Sequence, residues 1–135
     1  MANIVMRQNR LTRMPFTSSM LLSPGRLAGR LGLRRNSKVL ELGPGPGYFS
    51  PEVARSIPEG RLVLVDIHQE MLNMARKRLE KKGISNVQYV KGYAHSLPAD
   101  TGSYDVVFLA CVLGGVPDKS GCLREVYRVW RPKHR

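Results

Sequence analysis

The chain has 135 residues, enough for one α/β domain with a real core, and its two cysteines and three histidines form neither a C-x-x-C pair nor a metal-ligand spacing. No apolar stretch approaches the roughly 18 residues of a membrane-spanning helix and no secretory h-region is present, so Cys111 and Cys122 read as thiols of a reducing, cytoplasmic compartment. The net charge of +12 is uneven, with eight Lys/Arg and no acid in residues 1–40.

Residues 1–17 show no periodicity and read as a loose basic arm ahead of a domain covering 18–135. A solvated face that helps cover a site is the default meaning of such charge; a nucleic-acid contact and an acid-poor transit peptide are the rivals. No aromatic residue interleaves the early arginines, which disfavours stacking on single strands. "SPGRLAGRLGL" then predicts a helix with Ser23 as N-cap, Pro24 in the first turn and Gly32 as the stop. "SKVLELG" is a buried strand, and "SPEVARSI" a helix opened by Pro51 and Glu52. "RLVLVDI" is a second strand, apolar on both faces as a parallel strand should be.

"EMLNMARKRLEKKG" follows as an amphipathic helix with Met71, Leu72, Ala75 and Leu79 on one side and Gly83 at its end. "NVQYVKG" and "YDVVFLACV" are the third and fourth strands. "DKSGCLREVYRVW" is a last helix, with Leu123, Val126, Tyr127 and Trp130 at core spacing. Strands alternating with helices predict an α/β fold with a doubly wound parallel sheet and right-handed crossovers. Ligands of such sheets bind beyond the carboxyl ends of the strands, where the glycine run of "VLELGPGPGYFS" falls.

Gly43, Gly45 and Gly47 let a ligand approach the main chain. Their G-x-G-x-G spacing puts Tyr48 where a dinucleotide fingerprint needs its third glycine. Pro44 and Pro46 each remove an N–H that could cradle pyrophosphate, and no G-K-[ST] ends the run. Glu41, two residues before the first glycine, would repel a phosphate and favour an ammonium or sulfonium. Asp66 ends the second strand near the ~20-residue offset at which an acid accepts from ribose hydroxyls. A nucleoside with a ribose and a cationic, phosphate-free tail fits these residues, and S-adenosylmethionine has that form.

With those motifs the sequence resembles the class I S-adenosylmethionine-dependent methyltransferases of the small-molecule "type 11" branch, over about residues 24–132. The resemblance implies a Rossmann-like, three-layer domain whose four strands lie in the order 3-2-1-4. It implies that Glu41 and the Gly43, Pro44, Gly45, Gly47 turn hold the methionine part of the cofactor and Asp66 the ribose. Ile67 would flank the adenine with Met71 nearby. "KGYAHSLP" matches the family's G-D-A-x-x-L-P, with Tyr93 in place of the acid that contacts the adenine amino group, so weaker adenine binding is expected. Ala94 keeps the backbone N–H that would face adenine, and Leu109 and Ala110 would line the amino-acid end.

No side-chain acid or base can be placed at Gly114 and Gly115, where many relatives carry histidines. His95 reads as a surface residue before it reads as a general base. The absent D/N-P-P-Y signature argues against methylation of adenine N6 or glutamine. Lys133-His134-Arg135 stands where the family's P-G-G turn has its glycines, so the domain is expected to lack three C-terminal strands and to leave its fourth strand as an exposed edge. The function implied is methyl transfer to a small-molecule acceptor. An RNA methyltransferase using the basic arm and a non-catalytic cofactor-binding fragment are the alternatives.

Overall fold

The computed structural model describes the backbone of residues 2–7 and 10–15, and residues 23–110 and 116–131 in full. Cys111, Gly114, Gly115 and the 133–135 end lie outside the described residues, as does the 16–22 stretch. Four parallel strands make the centre: β3 (Lys38–Leu42), β4 (Arg61–Asp66), β5 (Val87–Lys91) and β6 (Val106–Leu109). Their order is β6-β3-β4-β5, the expected 3-2-1-4 when the parallel strands alone are counted. In register, Leu40 stands against Val63 of β4 and Val107 of β6.

Alternation along these strands sorts their side chains into two cores. Val39, Leu62, Leu64, Val106 and Phe108 face one way and pack with three helices: α1 (Pro24–Arg30), α2 (Ser50–Ser56) and α3 (Gln69–Lys81). Leu40, Leu42, Val63, Val65, Val107 and Leu109 face the other way and pack under α4 (Lys119–Val129). The result is three layers, with β3, β4 and β6 buried on both faces and β5 half-buried at the edge. Among the described residues no helix is long and apolar enough to cross a membrane.

The predicted Ser23 cap forms, and α4 has a cap that the sequence reading did not name. Ser23 Oγ accepts from the Arg26 N–H at 3.2 Å, and Asp118 caps α4 through the Gly121 N–H at 2.8 Å. Trp130 is buried as expected, but Tyr127 is not: it is 53% exposed, and the stripe α4 buries is Cys122, Val126 and Val129. Both stripes satisfy helical spacing. Small Cys122 fits against the sheet, while the amphipathic tyrosine stays half-exposed at the surface. One turn on, Glu125 Oε1 accepts from the Leu97 N–H at 2.8 Å and Arg128 Nη2 donates to the Leu97 carbonyl at 3.2 Å. The Arg128 Nε to Glu125 Oε2 bond, 2.6 Å, holds that carboxyl below the usual range. Through this pair α4 anchors the segment that follows β5.

Two expectations are corrected at the other edge. The 1–17 arm is not loose throughout: it contains β1 (Ala2–Arg7) and β2 (Arg10–Pro15), an antiparallel pair with Ala2 opposite Pro15 and Arg7 opposite Arg10. Nor is β6 bare, since β1 runs antiparallel along it with Val5 opposite Phe108 and Arg7 opposite Val106. The sheet is therefore six-stranded, in the order β2-β1-β6-β3-β4-β5. "NIVMR" and "LTRMP" lack an apolar alternation, yet they hold β-branched residues and the open N–H and C=O groups of β6 reward any strand that pairs there. Removing residues 1–15 should bare that edge, and light scattering should then show self-association. A monodisperse monomer with unchanged thermal stability would mean that β6 needs no cover.

Candidate functional site

The chain leaves β3 through a turn only glycine can make cheaply. Gly43, Gly45 and Gly47 have φ of +66°, +56° and +85°, the left-handed region that Cβ-bearing residues avoid. The Gly43 N–H still donates to the Val65 carbonyl at 2.8 Å, so the turn begins while tied to β4. Pro44 is buried, and its carbonyl accepts from the Gly47 N–H at 3.1 Å. A Cβ on Gly47 would lie 3.1 Å from the Ala75 Cβ of α3, whereas one on Gly45 would meet nothing within 4 Å. Gly47 seats the turn on the core; Gly45 presents backbone to open space.

Asp66, the last residue of β4, joins this turn to the next. Its Oδ2 accepts from the Gly45 N–H at 3.3 Å and its Oδ1 from the His68 N–H at 2.9 Å, while its main-chain carbonyl accepts from Gly92 at 3.1 Å. Beyond these strand ends lies a cavity of about 590 Å³, a volume ordinary for small-molecule sites. It stands where the chain order reverses: β4 and β5 lie on one side of β3, and β6 on the other.

The cavity wall brings together Gly43 and Gly45 from the turn, Asp66 and Ile67 from the end of β4, and Met71 from the first turn of α3. Tyr93 and Ala94 enter from the end of β5, and Leu109 from β6. Four expected residues stand behind the wall. Pro44 and Gly47 support the turn, and half-buried Ala110 packs on the core with its N–H donating to the Leu42 carbonyl at 2.9 Å. Glu41 is the fourth.

Strand alternation turns Glu41 toward the α1–α3 side, beneath the N-terminus of α2, where it is wholly buried. Its Oε1 accepts from Ser50 Oγ at 2.9 Å and its Oε2 has no hydrogen-bond partner. Burial pushes its pKa from 4.5 up to about 8, against the opposing pull of the Ser50 hydrogen bond. The expected fixed negative charge is thus a protonated carboxyl at neutral pH. A cation brought to the glycine turn would favour its ionisation.

Sequence reasoning missed His68 and Gly92, and gave His95 no place in the site; all three line the cavity. Adjacency to Asp66 and Tyr93 was the available signal. Val116 and Pro117 also line it, just past the Gly114 and Gly115 positions, but the sequence reading gave them no role.

Residues 33–135 match the model of a family described as a methyltransferase domain. The chain is 40% identical over 103 residues to the ubiquinone/menaquinone biosynthesis C-methyltransferase UbiE of Idiomarina loihiensis, an alignment covering 75% of this chain and 41% of that one. The enzyme of the same description in Escherichia coli is 39% identical with the same coverage. Among solved structures, a SAM-dependent methyltransferase from Aquifex aeolicus superposes with TM-score 0.77 at 26% identity, covering 83% of this chain and 60% of that one. The YcgJ protein of Bacillus subtilis gives 0.74 at 28%, covering 81% and 46%. The chain spans about two fifths of the length of the curated relatives it matches.

Two outcomes test the machinery around the turn. Gly47→Ala combines a disfavoured φ with a clash against α3 and should cost about 1–3 kcal/mol in denaturant unfolding; an unshifted midpoint would show that the turn can re-form around a methyl. Between its unfolded pKa of 4.5 and its folded value of about 8, Glu41 makes the folded chain bind the extra proton. Its contribution therefore declines as pH rises through that window. Relative to Glu41→Gln, the unsubstituted chain should lose stability between about pH 5 and about pH 8.5, and parallel curves for the two proteins would remove Glu41 as the cause.

Proposed function

Since the chain belongs to the class I S-adenosylmethionine-dependent methyltransferases, we propose that its cavity holds that family's cofactor and that it serves methyl transfer to a small-molecule acceptor. One observation carries the reading: the left-handed glycine turn and the Asp66 carboxylate meet at one cavity, at the switch point of the sheet. The residues fit the group. Asp66 keeps lone pairs beyond its two backbone bonds with which to accept from a ribose. Gly45 opens the backbone to a ligand, and Glu41 offers an unpartnered buried oxygen behind the turn.

S-adenosylmethionine supplies an activated methyl on a cationic sulfur. What the chain supplies is position. Asp66 and the glycine turn fix one part of the ligand, and apolar Leu42, Val65 and Leu109 exclude water from the wall around it. Holding reactants in attack geometry can lower a barrier by ~7–11 kcal/mol. The curated relatives' description as C-methyltransferases of ubiquinone/menaquinone biosynthesis supports a carbon atom of a small molecule as the acceptor.

Calorimetric titration with S-adenosylhomocysteine, with NADH as the control ligand, tests the reading. Saturable binding of the first alone is expected, and no binding by a folded chain would leave the family's chemistry as ancestry only. Asp66→Ala should weaken that binding by ~1–3 kcal/mol through the lost hydrogen bonds to a charged acceptor. Unchanged affinity in a folded variant would remove Asp66 from the ligand.

A further inference from the structure

Charge in this molecule is sorted along the strand axis, and the cavity takes up only one end of that axis. At the carboxyl ends of the strands the charges are mixed: Lys91 and Lys119 stand among Glu52, Glu70 and Asp118. The amino ends differ. Lys38 and Arg61, the exposed first residues of β3 and β4, lie directly opposite each other. The loop before β3 adds exposed Arg34 and Arg35, held in place by the Glu59 N–H donating to the Arg35 carbonyl at 2.9 Å. α3 finishes at the same end on exposed Lys81 and Lys82, just ahead of β5, and Arg131 arrives there from α4. The β1–β2 hairpin turns here too, because Arg7 stands opposite both Arg10 and Val106, the first residue of β6. Much of the acid-free charge of residues 1–40 is thereby gathered at one end.

The acids at this end do not balance it. Glu59 lies 3.5 Å from Arg35 and Asp105 lies 2.9 Å from Arg131; Glu80 and Asp100 are the others near it. Among the described residues Arg34, Lys38, Arg61, Lys81 and Lys82 have no carboxylate in ion-pair contact. Like charges directly opposite on a sheet destabilise it, and Arg61 relieves nothing by donating to the Gln88 side-chain oxygen at 3.4 Å. A local rule broken without local compensation points to use by something outside the fold.

The chemistry of that partner follows from what this end holds and lacks. Arg34, Arg35, Arg61 and Arg131 carry planar guanidinium groups, which match phosphate oxygens with paired N–H donors. The large exposed apolar side chains, Tyr48, Ile67, Met74, Tyr93 and Tyr127, belong to the glycine turn, the cavity rim and the outer faces of α3 and α4. Among the described residues this end therefore has no wedge to enter a lipid layer and no exposed ring on which an unpaired base could stack.

We propose that the end of the sheet opposite the cavity docks on the phosphate backbone of a nucleic-acid duplex without reading its sequence. The duplex is a tether and not the methyl acceptor, since the cavity opens beyond the other ends of the strands.

Fluorescence anisotropy of the full chain with a labelled, mixed-sequence DNA duplex tests this. With about four phosphates neutralised, affinity should fall by about 10²-fold between ~50 and ~200 mM salt. Lys38→Gln combined with Arg61→Gln should lower the salt slope by about two and weaken binding by about tenfold or more, with the thermal midpoint retained. Lys81→Gln combined with Lys82→Gln repeats the measurement away from the sheet and should weaken binding by about the same factor. An equal loss of charge at the cavity end, Lys91→Gln with Lys119→Gln, should leave the affinity within about threefold. Equal weakening by all three pairs would overturn the proposal, because net charge alone would then be binding. So would the absence of saturable binding at ~50 mM salt. Tighter binding, per phosphate, to vesicles of phosphatidylserine and phosphatidylcholine would overturn it as well, by assigning this end to a membrane surface.

Discussion

Everything at the ligand end of this molecule depends on how β3 is allowed to stop. A buried parallel strand cannot end in open hydrogen-bonding groups, and the Gly43 N–H meets that demand by reaching the Val65 carbonyl of β4. From there the chain must turn back over the sheet to enter α2, which it does through three left-handed glycines. The Asp66 carboxylate then bonds Gly45, so the turn and the neighbouring strand end are one unit. The cavity's shape, the exposure of backbone at Gly45 and the burial of Glu41 follow from that unit.

Glu41 shows how the same geometry sets chemistry. Its place on β3 was readable, and so was its acidity. What it lacked was its facing, because alternation sends positions 39 and 41 toward the α1–α3 layer and positions 40 and 42 toward α4. A carboxyl so placed loses its hydration and gains only the Ser50 hydroxyl, so it keeps its proton far above the usual carboxylate range. The residue that reads as a fixed anion in the sequence is a titrating group in the fold.

The four parallel strands, the helices between them and the wall residues contributed by the turn, β4 and β5 were legible because each has a local signature: glycine spacing, an apolar run, an acid at a strand end. Legibility failed where pairing decides the outcome. "NIVMR" and "LTRMP" carry no periodic pattern, and pairing makes strands of them, β1 with the edge of β6 and β2 with β1. Tyr127 and Cys122 are alternatives on adjacent stripes of α4, and packing against the sheet chose between them. His68, Gly92 and His95 join the wall because β4 and β5 end side by side, a proximity that no single stretch encodes.

The β1–β2 pair also shapes how the molecule must be assembled in time. Most of the sheet forms between neighbours in sequence, through crossovers of a few tens of residues. The bond between Val5 and Phe108 is different, since about a hundred residues must be in place before the two can meet. β1 can therefore close on β2 locally, but it docks on the sheet only once β6 is formed. A sheet closed by a seam of such long range should have that seam as the slowest step of its folding.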